Sequence, residues 1–193
     1  MNYKKNVIVS ILVVLLIIVV FSSTTYAVYK WRSTYGLNVN VNVTDNVIVT
    51  FNGGTNITGR LIPVDSPRYG IDKFISVKSN LPSNDTFSLF LKINKLPDEL
   101  KTDSFKWKLT NGNDIDVSGS FTPISMNDYI DSGTGDMLLL ENQPVPFRYN
   151  LKLHLYIWID GTVDNATSMQ NKSVDFDLYA TGTSNGEFVE GVN

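Results

Sequence analysis

Apolar and polar residues alternate along most of this chain, and that period of two constrains its fold more than any other feature. Within residues 149–160, Leu151, Leu153, Leu155, Ile157 and Ile159 share one parity, while Lys152, His154, Tyr156, Trp158 and Asp160 share the other. On a strand the two sets point to opposite faces, so one face is wholly aliphatic and the other mixed. The same alternation occupies residues 37–51, 74–78, 87–94, 105–109, 115–121 and 174–181. Turn signals separate these runs: Thr44-Asp45-Asn46, Asn52-Gly53-Gly54 and Asn111-Gly112. The last is the strongest hairpin signal, because both residues tolerate positive φ. The only helical hint is residues 96–100, where Pro97 followed by Asp98 and Glu99 suits a single turn. Eight to ten strands at this spacing predict an all-β fold, a jelly-roll or Ig-like antiparallel β-sandwich.

A different pattern precedes the strands. Residues 1–6 carry Lys4 and Lys5, residues 7–21 are apolar apart from Ser10, and four hydroxyl residues lead into Tyr26-Ala27. A basic start, an apolar middle and a small closing residue make an export signal. Residues 7–21 as helix would rise roughly 22 Å, short of the roughly 30 Å hydrocarbon core. That shortfall favours cleavage between Ala27 and Val28. Continuing the helix to Val28 gives the alternative, an N-terminal hydrophobic anchor helix that holds the membrane through residues 7–21. Either way residues 28–193 are expected outside the cytoplasmic membrane, secreted or at the cell surface. The domain plan is then a signal or anchor over 1–27, a sandwich over 28–183 and a loose polar tail over 184–193.

Composition narrows the chemistry. Without Lys4 and Lys5 the formal charge moves from −3 to −5, which argues against nucleic acid and anionic membrane surfaces as partners. There is no cysteine, hence no disulfide framework, no thiolate nucleophile and no cysteine metal site. His154 is the only histidine and sits mid-strand, so a His-based zinc site or a Ser-His-Asp arrangement lacks partners. The chain has no HExxH, GxSxG, GxGxxG or P-loop motif. No catalytic residue, no cofactor and no metal site is expected. The weak exception is a calcium loop around Asp160 and Asp164, where oxygens and a glycine fall at close spacing. Asp, Gly and Asn are also simply good turn formers. Carboxylates near other turns, Asp114 with Asp116 and Asp131 with Asp136, admit the same two readings. Asn-x-Ser/Thr sequons occur at Asn42, Asn56, Asn84, Asn165 and Asn171.

Two surfaces stand out as candidates for association. Leu37, Val39, Val41 and Val43 form one aliphatic face of an uncharged, proline-free segment whose other face is asparagine. Such a strand left at an edge invites pairing with another chain. Its partner is either its own sheet or the next subunit, by β-strand addition. Tyr156 and Trp158 lie opposite the aliphatic face of their strand, either in a second packed layer or as a contact face.

Several of these features together resemble the camelysin/TasA family of exported bacterial surface and biofilm-matrix fibre proteins. They are Thr25-Tyr26-Ala27 closing the signal, an alternating strand soon after it, and a cysteine-free sandwich. The phrases Leu89-Phe90-Leu91-Lys92-Ile93-Asn94, Trp158-Ile159-Asp160-Gly161 and Asp164-Asn165, with Asp177-Leu178-Tyr179-Ala180, are similar to uncharacterised exported proteins of low-GC Gram-positive bacteria. The resemblance implies a jelly-roll sandwich and filaments assembled by donation of an N-terminal strand, here within residues 28–43. Metalloprotease activity, described for some camelysin-like proteins, does not carry over, because no zinc ligand set is present.

The expectation is a non-enzymatic surface or matrix protein that self-associates, with a sandwich module binding carbohydrate or protein as the alternative. A secreted carboxylate-dependent hydrolase is more remote. Mass spectrometry of the exported protein is expected to find Val28 at the N-terminus. An intact Met1 or Asn2 on membrane-extracted protein would establish the anchor instead.

Overall fold

The structure is a computed structural model and describes residues 37–122, 135–145, 147–163, 166–184 and 187–189. The signal or anchor segment, with Ala27 and Val28, lies outside the described residues. No helix among the described residues is long and apolar enough to cross a membrane.

Two mostly antiparallel sheets account for the described fold, an all-β sandwich. In chain order the strands are β1 (Val39–Asn42), β2 (Val47–Phe51), β3 (Asn56–Arg60), β4 (Pro63–Val64), β5 (Ile71–Ser79), β6 (Thr86–Lys95), β7 (Phe105–Thr110), β8 (Asp116–Ser120), β9 (Asp136–Pro144), β10 (Asn150–Asp160), β11 (Ser173–Ser184) and β12 (Glu187–Val189). One sheet runs β1-β2-β5-β10-β7-β8, with β4 parallel to the end of β10. The other runs β12-β11-β6-β9, with β3 also on β11. Short 3₁₀ turns η1 (Pro67–Tyr69), η2 (Asp98–Leu100) and η3 (Ala166–Met169) lie in the connections, η2 where the Pro97 signal predicts one turn.

The parity of each strand decides what is buried. Leu151, Leu153, Leu155, Ile157 and Ile159 of β10 all face the core, joined by Val47, Val49 and Phe51 of β2 and Phe105, Trp107 and Leu109 of β7. Phe87, Leu89 and Leu91 of β6 and Val174, Phe176, Leu178 and Ala180 of β11 meet them from the other sheet. Phe105, Phe121 and Phe176 stack across the gap, with centroids 4.4 Å and 5.5 Å apart along the row. Each such side chain removed from water stabilises the fold by roughly 1.5–3 kcal/mol.

The structure departs from the sequence reading at several places. Leu37 precedes β1 and is 90% exposed, so it does not share the buried face of Val41 and Val43. The β7–β8 hairpin is closed by Asn111–Ile115 rather than by two residues, because the Asn111 side chain accepts from the N–H groups of Asn113 and Ile115 and widens the turn. Strand β9 escapes the period-two reading: Met137-Leu138-Leu139-Leu140 is a continuous apolar run, and its register against β6 shifts twice. Glu187–Val189 pairs with β11 within the stretch read as a loose tail.

A buried polar knot fastens the β1–β2 turn to the opposite sheet. Asp85, 1% exposed just before β6, accepts from Thr44 Oγ1 at 2.7 Å, Asn46 Nδ2 at 3.2 Å and Ser184 Oγ at 2.9 Å. Burial pushes this carboxyl up, but the hydrogen bonds from Thr44, Ser184, Asn46 and Ser83 outweigh it, and the group lies below its ordinary value. Gly182 of β11 makes the approach sterically feasible, since a Cβ there would sit 2.4 Å from the Val43 carbonyl oxygen. Asp85→Ala strands three buried or half-buried donors. It is expected to cost about 3 kcal/mol in denaturant unfolding. Amide exchange in β1 and β2 should rise well before that in β10.

Candidate assembly edge

Strand β1 is one edge of its sheet, and among the described residues it pairs only with β2, over Val39↔Phe51, Asn40↔Thr50, Val41↔Val49 and Asn42↔Ile48. The segment singled out from its pattern is thus held by its own chain. Val43 and Val41 are buried in the core, Val39 is half-buried and Leu37 projects into solvent. Val43 N donates to Val47 O at 3.0 Å, so by alternation Val41–Val49 and Val39–Phe51 are also hydrogen-bonded pairs. The backbone N–H and C=O of Asn40 and Asn42 therefore point away from β2, towards the open edge. At the side-chain level, Thr50 Oγ1 donates to Asn40 Oδ1 at 2.7 Å.

The other outer strands carry the devices that discourage edge pairing. Strand β8 has Asp116 and Gly119, β3 has Gly59 and Arg60, β4 has Pro63, and β12 is only three residues long. Strand β9 has Asp136, Glu141, Pro144 and a left-handed Asn142 (φ 45°) beside its shifted register. Strand β1, Val-Asn-Val-Asn, has no charge, proline, glycine or bulge.

The other candidate residues occupy separate places. Trp158 is buried on the outer face of β10, where Gly70, ending η1, packs against its Cβ. Tyr156 is half-buried beside it, and its phenol is pushed up by burial and by nearby Asp72, with Arg68 opposing. Of the calcium candidates, Asp160 spends both oxygens inside the chain: Oδ1 accepts from Thr162 N at 3.0 Å and Thr162 Oγ1 at 2.6 Å, and Oδ2 accepts from Lys106 Nζ at 2.6 Å. Asp164 lies outside the described residues, as does Asp131. No group of three or more His, Asp or Glu side chains that could hold a metal occurs among the described residues. His154 Nδ1 lies 2.9 Å from Asp72 Oδ1.

Sequence reasoning passed over two residues. Lys73 shares the inward parity of Ile75 and Val77, a signal that was legible. It is 8% exposed and donates to the carbonyls of Gly53 and Asn56 at 3.0 and 3.1 Å, clamping the β2–β3 crossover, while burial lowers its pKa. Asp85 had no such signal, because its partners come from two distant segments, the β1–β2 turn and the end of β11.

Fold and edge together define a β-sandwich with one unblocked edge strand among the described residues. In comparisons with protein-family models, curated proteins and solved structures, nothing matches this chain.

Lys106 first, then Thr162, hold the Asp160 carboxyl at about 2, against an ordinary value of 3.8. A depressed carboxylate pKa contributes stability that is complete above about pH 4 and is lost as pH falls towards 2. Lys106 is partly exposed, so solvent screening reduces the contribution to about 1 kcal/mol. Acid unfolding of Asp160→Asn is expected to lose that portion of its pH dependence between pH 4 and 2, with the remainder unchanged.

Proposed function

We propose that this chain is an exported, non-enzymatic cell-surface or extracellular-matrix structural protein whose subunits associate by β-strand addition at β1. The observation that carries the reading is the contrast among edges: among the described strands, β1 alone offers outward backbone groups with nothing to repel an added strand. The knot around Asp85 supports it, because it holds the β1–β2 turn against the opposite sheet and so keeps the edge presented. The jelly-roll form of the sandwich belongs to the same proposal. It is supported by connections that pass repeatedly between sheets, as in β2 to β3, β5 to β6, β8 to β9 and β10 to β11. The resemblance to camelysin/TasA proteins and the export signal fit this role. In it, the incoming strand comes from a neighbouring subunit.

The test separates edge from core. Asn42→Pro removes an outward N–H without touching the ladder to β2, so it is expected to abolish filaments seen by negative-stain microscopy while shifting monomer stability by less than about 1 kcal/mol. Val41→Lys places a charge in the core and is expected to destabilise the monomer by several kcal/mol. Filaments that persist in Asn42→Pro, or wild-type protein that stays monomeric at high concentration, would refute assembly through β1.

A further inference from the structure

The outer face of β5 and β10 carries a strip whose chemistry the assembly edge does not use. Across the two strands Lys78 pairs with Asn150, Ser76 with Lys152, Phe74 with His154 and Asp72 with Tyr156. All have the parity opposite to the buried Ile75, Val77, Leu153 and Leu155, so they face outward together. Phe74, His154 and Tyr156 form a continuous ladder of rings, with centroids 5.1 Å and 5.8 Å apart. Exposed cations flank the ladder: Lys78 and Lys152 at one end, and Arg68 of η1 at the Tyr156 end.

Charge pairing singles these cations out. Lys106 and Lys108, on the neighbouring strand, are each neutralised by an aspartate, Asp160 at 2.6 Å and Asp116 at 2.8 Å. Among the described residues, Lys78, Lys152 and Arg68 have no carboxylate within salt-bridge distance. The one acid inside the strip, Asp72, is engaged by His154. A chain of formal charge −3 thus holds a net-positive, ring-lined track on one open sheet face. From Asp72 to Lys78 the track runs roughly 20 Å along the strand.

We propose that this face binds a linear polysaccharide bearing carboxylates. The rings offer apolar contact to pyranose C–H groups, and the cations offer charge-assisted hydrogen bonds to the acids. The cations are few and separated by rings, which suits a polymer with about one charge per sugar. Duplex DNA, with one charge per roughly 1.7 Å, would meet mostly uncharged surface here and repulsion from the rest of the molecule. The proposal does not depend on how subunits associate.

Affinity electrophoresis of the exported domain through gels containing polygalacturonate, dextran or duplex DNA tests it, with melting temperature as a control for folding. Wild type is expected to be retarded by polygalacturonate, less so as salt rises, and not by dextran. Lys78→Ala with Lys152→Ala should weaken retardation at least tenfold, and Tyr156→Leu several-fold, with the melting temperature of the lysine variant unchanged. Charge alone, without the rings, would leave Tyr156→Leu at wild-type affinity, and that result overturns the proposal. Absence of retardation by polygalacturonate, equal or stronger retardation by DNA, or indifference to the lysine substitutions overturns it as well.

Discussion

The close contact between two sheet faces is the constraint on which the rest of this structure depends. The chain has no cysteine, so no disulfide joins the sheets, and across the described residues packing and hydrogen bonds link them. Strand β10 supplies five consecutive inward aliphatic side chains, and β11 answers with Val174, Phe176, Leu178 and Ala180. Because each strand buries every second residue, a one-residue slip of β10 would send His154 and Asp160 into the core. Register and core are therefore the same specification.

That specification reaches its limit at the periphery, where polar groups must make contacts that apolar packing cannot. Asp85 and Lys73 are the two clear cases. One is a carboxylate wrapped by hydroxyl and amide donors, the other an ammonium clamped by two carbonyls, and each sits where the chain passes from one sheet to the other. A buried charge is tolerable only when its hydrogen-bonding capacity is met locally, so each of these residues fixes the crossover around it. Asp85 ties the turn of the β1–β2 hairpin to the opposite sheet, while Val41, Val43, Val47, Val49 and Phe51 bury its inner face.

Stability and the proposed association would draw on different groups of the same strand. Val41 and Val43 point inward and belong to the monomer, whereas the outward backbone groups of Asn40 and Asn42 face the open edge. A strand can serve both because its side-chain direction and its hydrogen-bonding direction are perpendicular. The outer face of β5 and β10 is independent of both, as it uses the remaining parity of strands whose inner parity builds the core.

The sequence by itself determined the all-β class, the inward parity of β2, β6, β7, β10 and β11, and the single turn at Asp98–Leu100, because period-two burial and proline chemistry are local. It also marked β1 as uncharged and free of proline. Only the tertiary structure decided that Leu37 lies outside the strand, that β9 runs through a bulge against β6, and that Trp158 is covered by the turn before β5. It alone revealed that Asp85 gathers Thr44, Asn46 and Ser184, and that Lys78, Lys152 and Arg68 surround one ring ladder. These are contacts between residues far apart in the chain. Strand pattern says which side of a sheet a residue faces, whereas sheet order and crossover path decide which residue it meets there.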